Sequence, residues 1–138
     1  MVEISGGAIH SLVLTSKNRV LSTGFGGNHA LGHSHCDTIK TFFPIEAIRE
    51  ILLRYQTKGY KKVSVSRIAC GLSHSTCLIN DDAYVWGRVI ADLQSPEGCF
   101  RQPTKVLARV RDVACGEHLT LMISHKGAVF AMGSNEKG

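Results

Sequence analysis

Histidine and cysteine offer this chain its most reactive side chains, and they fall into two patterns. One is a dense cluster: His29, His33, His35 and Cys36. Imidazole nitrogen and thiolate sulfur are ordinary zinc or copper ligands, and His33-x-His35 beside Cys36 could contribute to chelation. Adjacent residues of an extended segment point to opposite sides, however, and no second dense half-site follows. The cluster therefore reads as a polar loop, and no metal or other cofactor is expected. The second pattern is a recurrence. His10 and His74 each stand three residues after a glycine, and Cys70 and Cys115 each stand immediately before one. Such groups could serve as general base or nucleophile. A catalytic base is needed once, whereas these recur. The histidines are instead expected to steady a turn, with ring nitrogens bonding nearby backbone groups, and the cysteines to act as small buried hydrophobes. The sequence has no Gly-x-Ser-x-Gly and no paired-carboxylate motif. Gly24-Phe25-Gly26-Gly27 lacks the Lys-Ser/Thr of a phosphate loop. The chain is expected not to be an enzyme.

The elements that carry these residues repeat three times. Gly7-Ala8-Ile9-His10-Ser11-Leu12 leads to Val20-Leu21-Ser22-Thr23-Gly24. Gly71-Leu72-Ser73-His74-Ser75-Thr76 leads to Tyr84-Val85-Trp86-Gly87. Gly116-Glu117-His118-Leu119-Thr120-Leu121 leads to Val129-Phe130-Ala131-Met132-Gly133, with Leu119 where the other copies have histidine. The stretches between are short, rich in Val, Ile, Leu, Thr, Tyr and Phe, and bounded by turn formers, so each unit reads as strand, tight turn, strand, hairpin, strand. The first glycine of each copy is expected to supply a backbone conformation that other residues adopt only at a cost. The second copy is one residue shorter, at the polar turn Asn80-Asp81-Asp82, where a hairpin tolerates the change.

Cys70-Gly71-Leu72-Ser73-His74-Ser75 and Tyr84-Val85-Trp86-Gly87 carry a resemblance to the regulator-of-chromosome-condensation repeat family. Gly133-Ser134-Asn135-Glu136-Lys137-Gly138 resembles the start of that family's tail motif, and Gly24 to Gly32 has its spacing. After Gly87 the tail motif is absent. The resemblance implies an all-β fold, a partial seven-bladed β-propeller of four-stranded blades. It also implies roles such as nucleotide exchange on a Ran-type GTPase, chromatin binding, or docking within larger proteins. The units are placed at about 1–32, 63–87 and 106–138 of a single domain, 1–138. Propellers use roughly 4 to 8 blades. Two to three units are therefore expected to be a fragment of a longer array, or to be completed by other subunits.

The extra length lies between the first and second units, as a basic insertion at about 40–62. Pro44 followed by Ile45, Ile48, Leu52 and Tyr55 on one face, with Gly59 as a stop, predicts a helix over 44–58. Segment 46–67 holds six basic residues, Arg49, Arg54, Lys58, Lys61, Lys62 and Arg67, against Glu46 and Glu50. They read either as a docking surface for an acidic protein or nucleic-acid phosphate, or as the solvated face of an amphipathic helix.

Composition fits these readings. The 138 residues are 43% hydrophobic and 20% charged, enough for a core, and the net charge is +5. An odd five cysteines, no Cys-x-x-Cys and no secretory leader predict an intracellular reducing compartment, cytoplasm or nucleus. No apolar run is long enough to span a membrane. The expected function is a non-enzymatic protein-interaction scaffold. Exchange on a small GTPase and membership of a nucleoprotein assembly are the alternatives.

Overall fold

The computed structural model describes residues 3–26, 29–33, 38–88, 99–117 and 119–133. Three antiparallel sheets follow one another along them. The first has order β1 (Glu3–Gly6), β2 (His10–Leu14), β3 (Val20–Gly24), β4 (Ile39–Pro44). Helix α1 (Glu46–Thr57) comes next. The second sheet has order β5 (Val65–Cys70), β6 (His74–Ile79), β7 (Asp82–Arg88), β8 (Cys99–Leu107). The third holds β9 (Val110–Cys115), β10 (Leu119–Ser124) and β11 (Val129–Gly133). The sheets stack as blades: β5 packs on β1 and β2, and β9 packs on β5 and β6. This is a partial β-propeller with one inserted helix.

Burial explains the residue choice in each sheet. The middle blade is covered on both faces, so β6 is buried at all six positions instead of alternating. Its Cys77 and Ile79 meet Leu12, Leu14, Val20 and the helix on one side. Its Leu78 joins Val110, Val113 and Met122 on the other. The first blade is covered on one face only, and β2 alternates as a half-buried strand should.

The length difference between copies has a geometric cause. In the first and third hairpins Leu14 pairs with Val20 and Ile123 with Val129. Their tips turn through Asn18 (φ 61°) and Gly127 (φ 86°). In the second, Ile79 pairs with Asp82, leaving a two-residue tip, Asn80 and Asp81, both at positive φ. Two left-handed residues in a row are the type I′ signature, matched to strand twist.

The structure differs from the sequence expectations at three places. β8 pairs with β7 through Ala83↔Leu107 and Arg88↔Cys99, so residues 106–107 belong to the second blade and not to the third unit. Ile39–Pro44 pairs with β3 as the fourth strand of the first blade, so the inserted segment begins after it. The first glycine of each copy does not have positive φ; the second does, with Gly24 at 120° and Gly87 at 88°. Gly7 and Gly71 are needed for space instead. A Cβ on Gly7 would collide with the Gly71 carbonyl oxygen. One on Gly71 would lie 2.7 Å from the Gly116 carbonyl oxygen and would strike the His74 ring. The recurring glycine is thus where one blade's backbone meets the next.

Candidate partner-docking site

The recurring histidine joins blades. His10 is buried, and its Nε2 lies 2.8 Å from Ser75 Oγ in the second blade. The Ser75 hydroxyl donates its one proton to the Ala30 carbonyl at 2.8 Å, so it accepts from His10 Nε2–H. The Nε2 partner is thus a side chain 65 residues away, and not the backbone of the ring's own turn. Burial pulls the His10 pKa down to about 4, with the neighbouring His74 lowering it further and a backbone hydrogen bond at His74 opposing. The ring is neutral at pH 7 and committed to packing. Gly7 N–H donates to the His10 carbonyl, Gly71 N–H to that of His74 and Gly116 N–H to that of Leu119, so the turn survives without the imidazole. His118 lies outside the described residues. Trp86 is fully buried against Gly32 and Ile45.

Burial pushes the Cys70 thiol up to about 11 and the Cys115 thiol up to about 12, and raises Cys77 further still. These are protonated thiols and poor nucleophiles, Cys70 and Cys77 buried and Cys115 half-buried. His33 Nε2 is hydrogen-bonded to Ser22 Oγ at 2.8 Å. His35 and Cys36 lie outside the described residues. Among the described residues no group of three or more His, Cys, Asp and Glu could hold a metal.

The chain's surface chemistry gathers around α1. Pro44 closes β4, and Ile45, whose N–H donates to the Val20 carbonyl at 2.8 Å, starts the helix. Ile48, Ile51 and Tyr55 face the core, while Leu52 is half-buried at its edge. At the far end Gly59 N–H reaches the Gln56 carbonyl and Tyr60 N–H the Tyr55 carbonyl, with the two tyrosine rings edge to face at 5.3 Å. This is a Schellman stop, the left-handed position taken by glycine. Tyr55 is also a tether. Its hydroxyl donates to Asp82 Oδ2 and lies 2.9 Å from Tyr84 Oη, and Lys105 Nζ lies 3.3 Å from the same carboxylate oxygen. Burial first, then the bond to Asp82, raises the Tyr55 pKa, so the phenol stays protonated.

The six basic residues do not form one patch. Arg49 lies on one flank of α1, 3.7 Å from Glu46 in solvent. Arg54 and Lys58, 40° apart on a helical wheel at about 100° per residue, lie on the other, beside Tyr60, Asp82 and Lys105. Lys61 and Lys62 are exposed beyond the helix. Arg67 is on β5 and reaches Asp112 of the third blade at 3.4 Å. Sequence reasoning missed Lys17, Arg19, Leu53 and Lys105. Leu53 lies on α1 itself, whereas Lys17 and Arg19 come from the β2–β3 hairpin tip and Lys105 from β8, and only folding brings these three to the helix.

No family model matches the chain. It is 28% identical over 145 residues to the RCC1 domain-containing protein RUG3, mitochondrial, of Arabidopsis thaliana, covering 96% of this chain. It is 29% identical over 148 residues to the ultraviolet-B receptor UVR8 of the same plant, covering 98%. The chain spans 30% of the length of each of these relatives. Among solved structures it superposes on Prp20p of Saccharomyces cerevisiae with a TM-score of 0.78 at 23% identity, over 98% of this chain and 32% of that one. With the blades and repeats described above, these likenesses make the chain a partial set of regulator-of-chromosome-condensation-like repeats.

Proposed function

We propose that the chain is a non-enzymatic interaction scaffold that docks a protein partner on α1 and the loops beside it. One observation carries this reading. The reactive residues of the repeats are buried in blade contacts, while α1 is anchored by its apolar face and by Tyr55 with its basic side chains left in solvent. Free thiols, buried at Cys70 and Cys77 and half-buried at Cys115, suit a reducing compartment, cytoplasm or nucleus; none of the described helices is long and apolar enough to cross a membrane. Affinity isolation comparing the wild-type protein with Arg54→Glu/Lys58→Glu/Lys61→Glu tests the scaffold reading. Partners held by the wild type and lost by the variant are expected; identical recovery contradicts it.

A second reading is favoured by the likeness to Prp20p, whose structure was described together with its binding to Gsp1p and histones. Here the blades regulate nucleotide exchange on a Ran-type GTPase and associate with chromatin. It predicts faster nucleotide release from such a GTPase, and no acceleration at high concentration removes it. Binding of DNA or RNA through segment 49–67, as in a nucleoprotein assembly, would weaken steeply with salt. The pairing of Arg67 with Asp112 takes one cation out of that surface.

A further inference from the structure

A cleft of about 270 Å³ runs along the Arg49 flank of α1, between the helix and the β2–β3 hairpin tip. We infer that it docks a short acidic peptide segment bearing an apolar anchor, a partner chemistry that rests on the scaffold reading. The floor is apolar: Val20, Ile45 and Ile48 are almost wholly buried beneath it. Leu52 extends that floor half-exposed, and Leu53 stands at the lip with 51% of its surface in solvent. A lone exposed leucine means little. One at the mouth of a cleft with an aliphatic floor gives an incoming side chain a place to leave water.

Charge sets the class of ligand. Lys17 and Arg19 rise from the hairpin and Arg49 from the helix, all exposed at the rim. The carboxylate among them, Glu46, is paired with Arg49 at 3.7 Å with both side chains largely in water. Such a pair is worth little and yields to a better-placed acid. The lining has no aromatic side chain on which a base could stack, which favours an acidic peptide over single-stranded nucleic acid.

The walls are fixed before anything binds. Asn18 donates from Nδ2 to the Val63 carbonyl at 3.1 Å and accepts from Val65 N–H at 3.3 Å through Oδ1. The hairpin tip is thereby tied to the segment that enters β5, and the opposite wall is the capped helix. A preformed site spares a weak peptide the ordering costs that would otherwise cancel its few contacts.

Fluorescence anisotropy with the purified protein tests this, using as probe a labelled peptide of Asp and Glu residues carrying one Leu and one Phe. Leu53→Asp, and separately Arg19→Glu/Arg49→Glu, are expected to weaken binding by about tenfold or more, because each puts a carboxylate against an acidic ligand and like charges brought together are costly. Both substitutions are at exposed positions, and circular dichroism is the check that each variant keeps its fold. Arg67→Glu, on the blade ion pair, is expected to leave affinity unchanged, and a peptide with both anchors changed to Ala is expected to fail. Equal binding by the cleft variants, equal binding of the Ala peptide, or tighter binding of duplex DNA to the same residues would each overturn the inference. If it falls while Arg54→Glu/Lys58→Glu/Lys61→Glu still strips partners in the isolation experiment, the scaffold reading stands without this cleft.

Discussion

Gly71→Ala isolates the role assigned to the recurring glycine. At Gly71 the backbone is not left-handed, so a methyl group meets no conformational penalty. It meets matter instead: the Gly116 carbonyl oxygen at 2.7 Å and the His74 ring. The ring can turn only within a buried site, and the carbonyl belongs to the backbone of the third blade. Overpacking of this kind costs about 1–3 kcal/mol, and the immovable carbonyl places Gly71→Ala at the upper end, about 3 kcal/mol. For a chain of this size that lowers Tm by roughly 10 °C. Gly116 occupies the same repeat position, but there an added Cβ would find Leu119 Cβ at 3.8 Å, an ordinary contact. Gly116→Ala is expected to change stability by less than about 0.5 kcal/mol. Chemical denaturation of the three proteins, with matched m-values, reads the difference directly. Equal stability of Gly71→Ala and Gly116→Ala would mean that the blade contact is not what the glycine serves.

Further outcomes follow from the same contacts. His10 has a folded pKa of about 4 against about 6.5 unfolded, so the unfolded chain binds the proton first. Stability is full above pH 6.5 and is lost as the pH falls towards 4, by about 3 kcal/mol at about 1.4 kcal/mol per unit. Urea midpoints measured from pH 8 to 4 should show this slope, and His10→Gln should flatten it. Cys70 and Cys77, both buried, should resist a thiol reagent at pH 8 in a Cys36→Ser/Cys99→Ser/Cys115→Ser background. Modification faster than global unfolding would contradict their burial. Tyr55→Phe removes the donor to Asp82 and should cost about 1–2 kcal/mol in a denaturation experiment. Tyrosine absorbance against pH, compared between the wild type and Tyr55→Phe, should show the Tyr55 phenol ionising above the ordinary tyrosine range.

The blades were legible in the sequence because short stretches rich in β-branched and aromatic residues, turn residues and a matched glycine spacing agree at each copy. The fourth strands were not. Ile39–Pro44 exposes most of its side chains, and Cys99–Leu107 carries a proline and several polar residues, so neither shows the alternation of a half-buried strand. The role of the histidine was half legible. Recurrence marked it as structural, but the Ser75 partner lies in another blade, and no local pattern signals a contact across 65 residues. The helix was legible from Ile45, Ile48 and Tyr55. The surface around it was not: charge spacing along 46–67 suggested one patch, while folding places Arg49 and Arg54 on opposite flanks and draws Lys17 and Arg19 from a hairpin into the first.

The proposed function rests on α1 and its flanks and not on the recurring glycines and histidines of the blades. Amide chemical-shift mapping tests it most directly, titrating the isotopically labelled protein with the acidic Leu/Phe peptide. The largest changes are expected at residues 17–20, 45–53 and 63. Changes centred on the turns at 7–10, 71–74 and 116–119, or spread over β9–β11 with α1 unmoved, would contradict it.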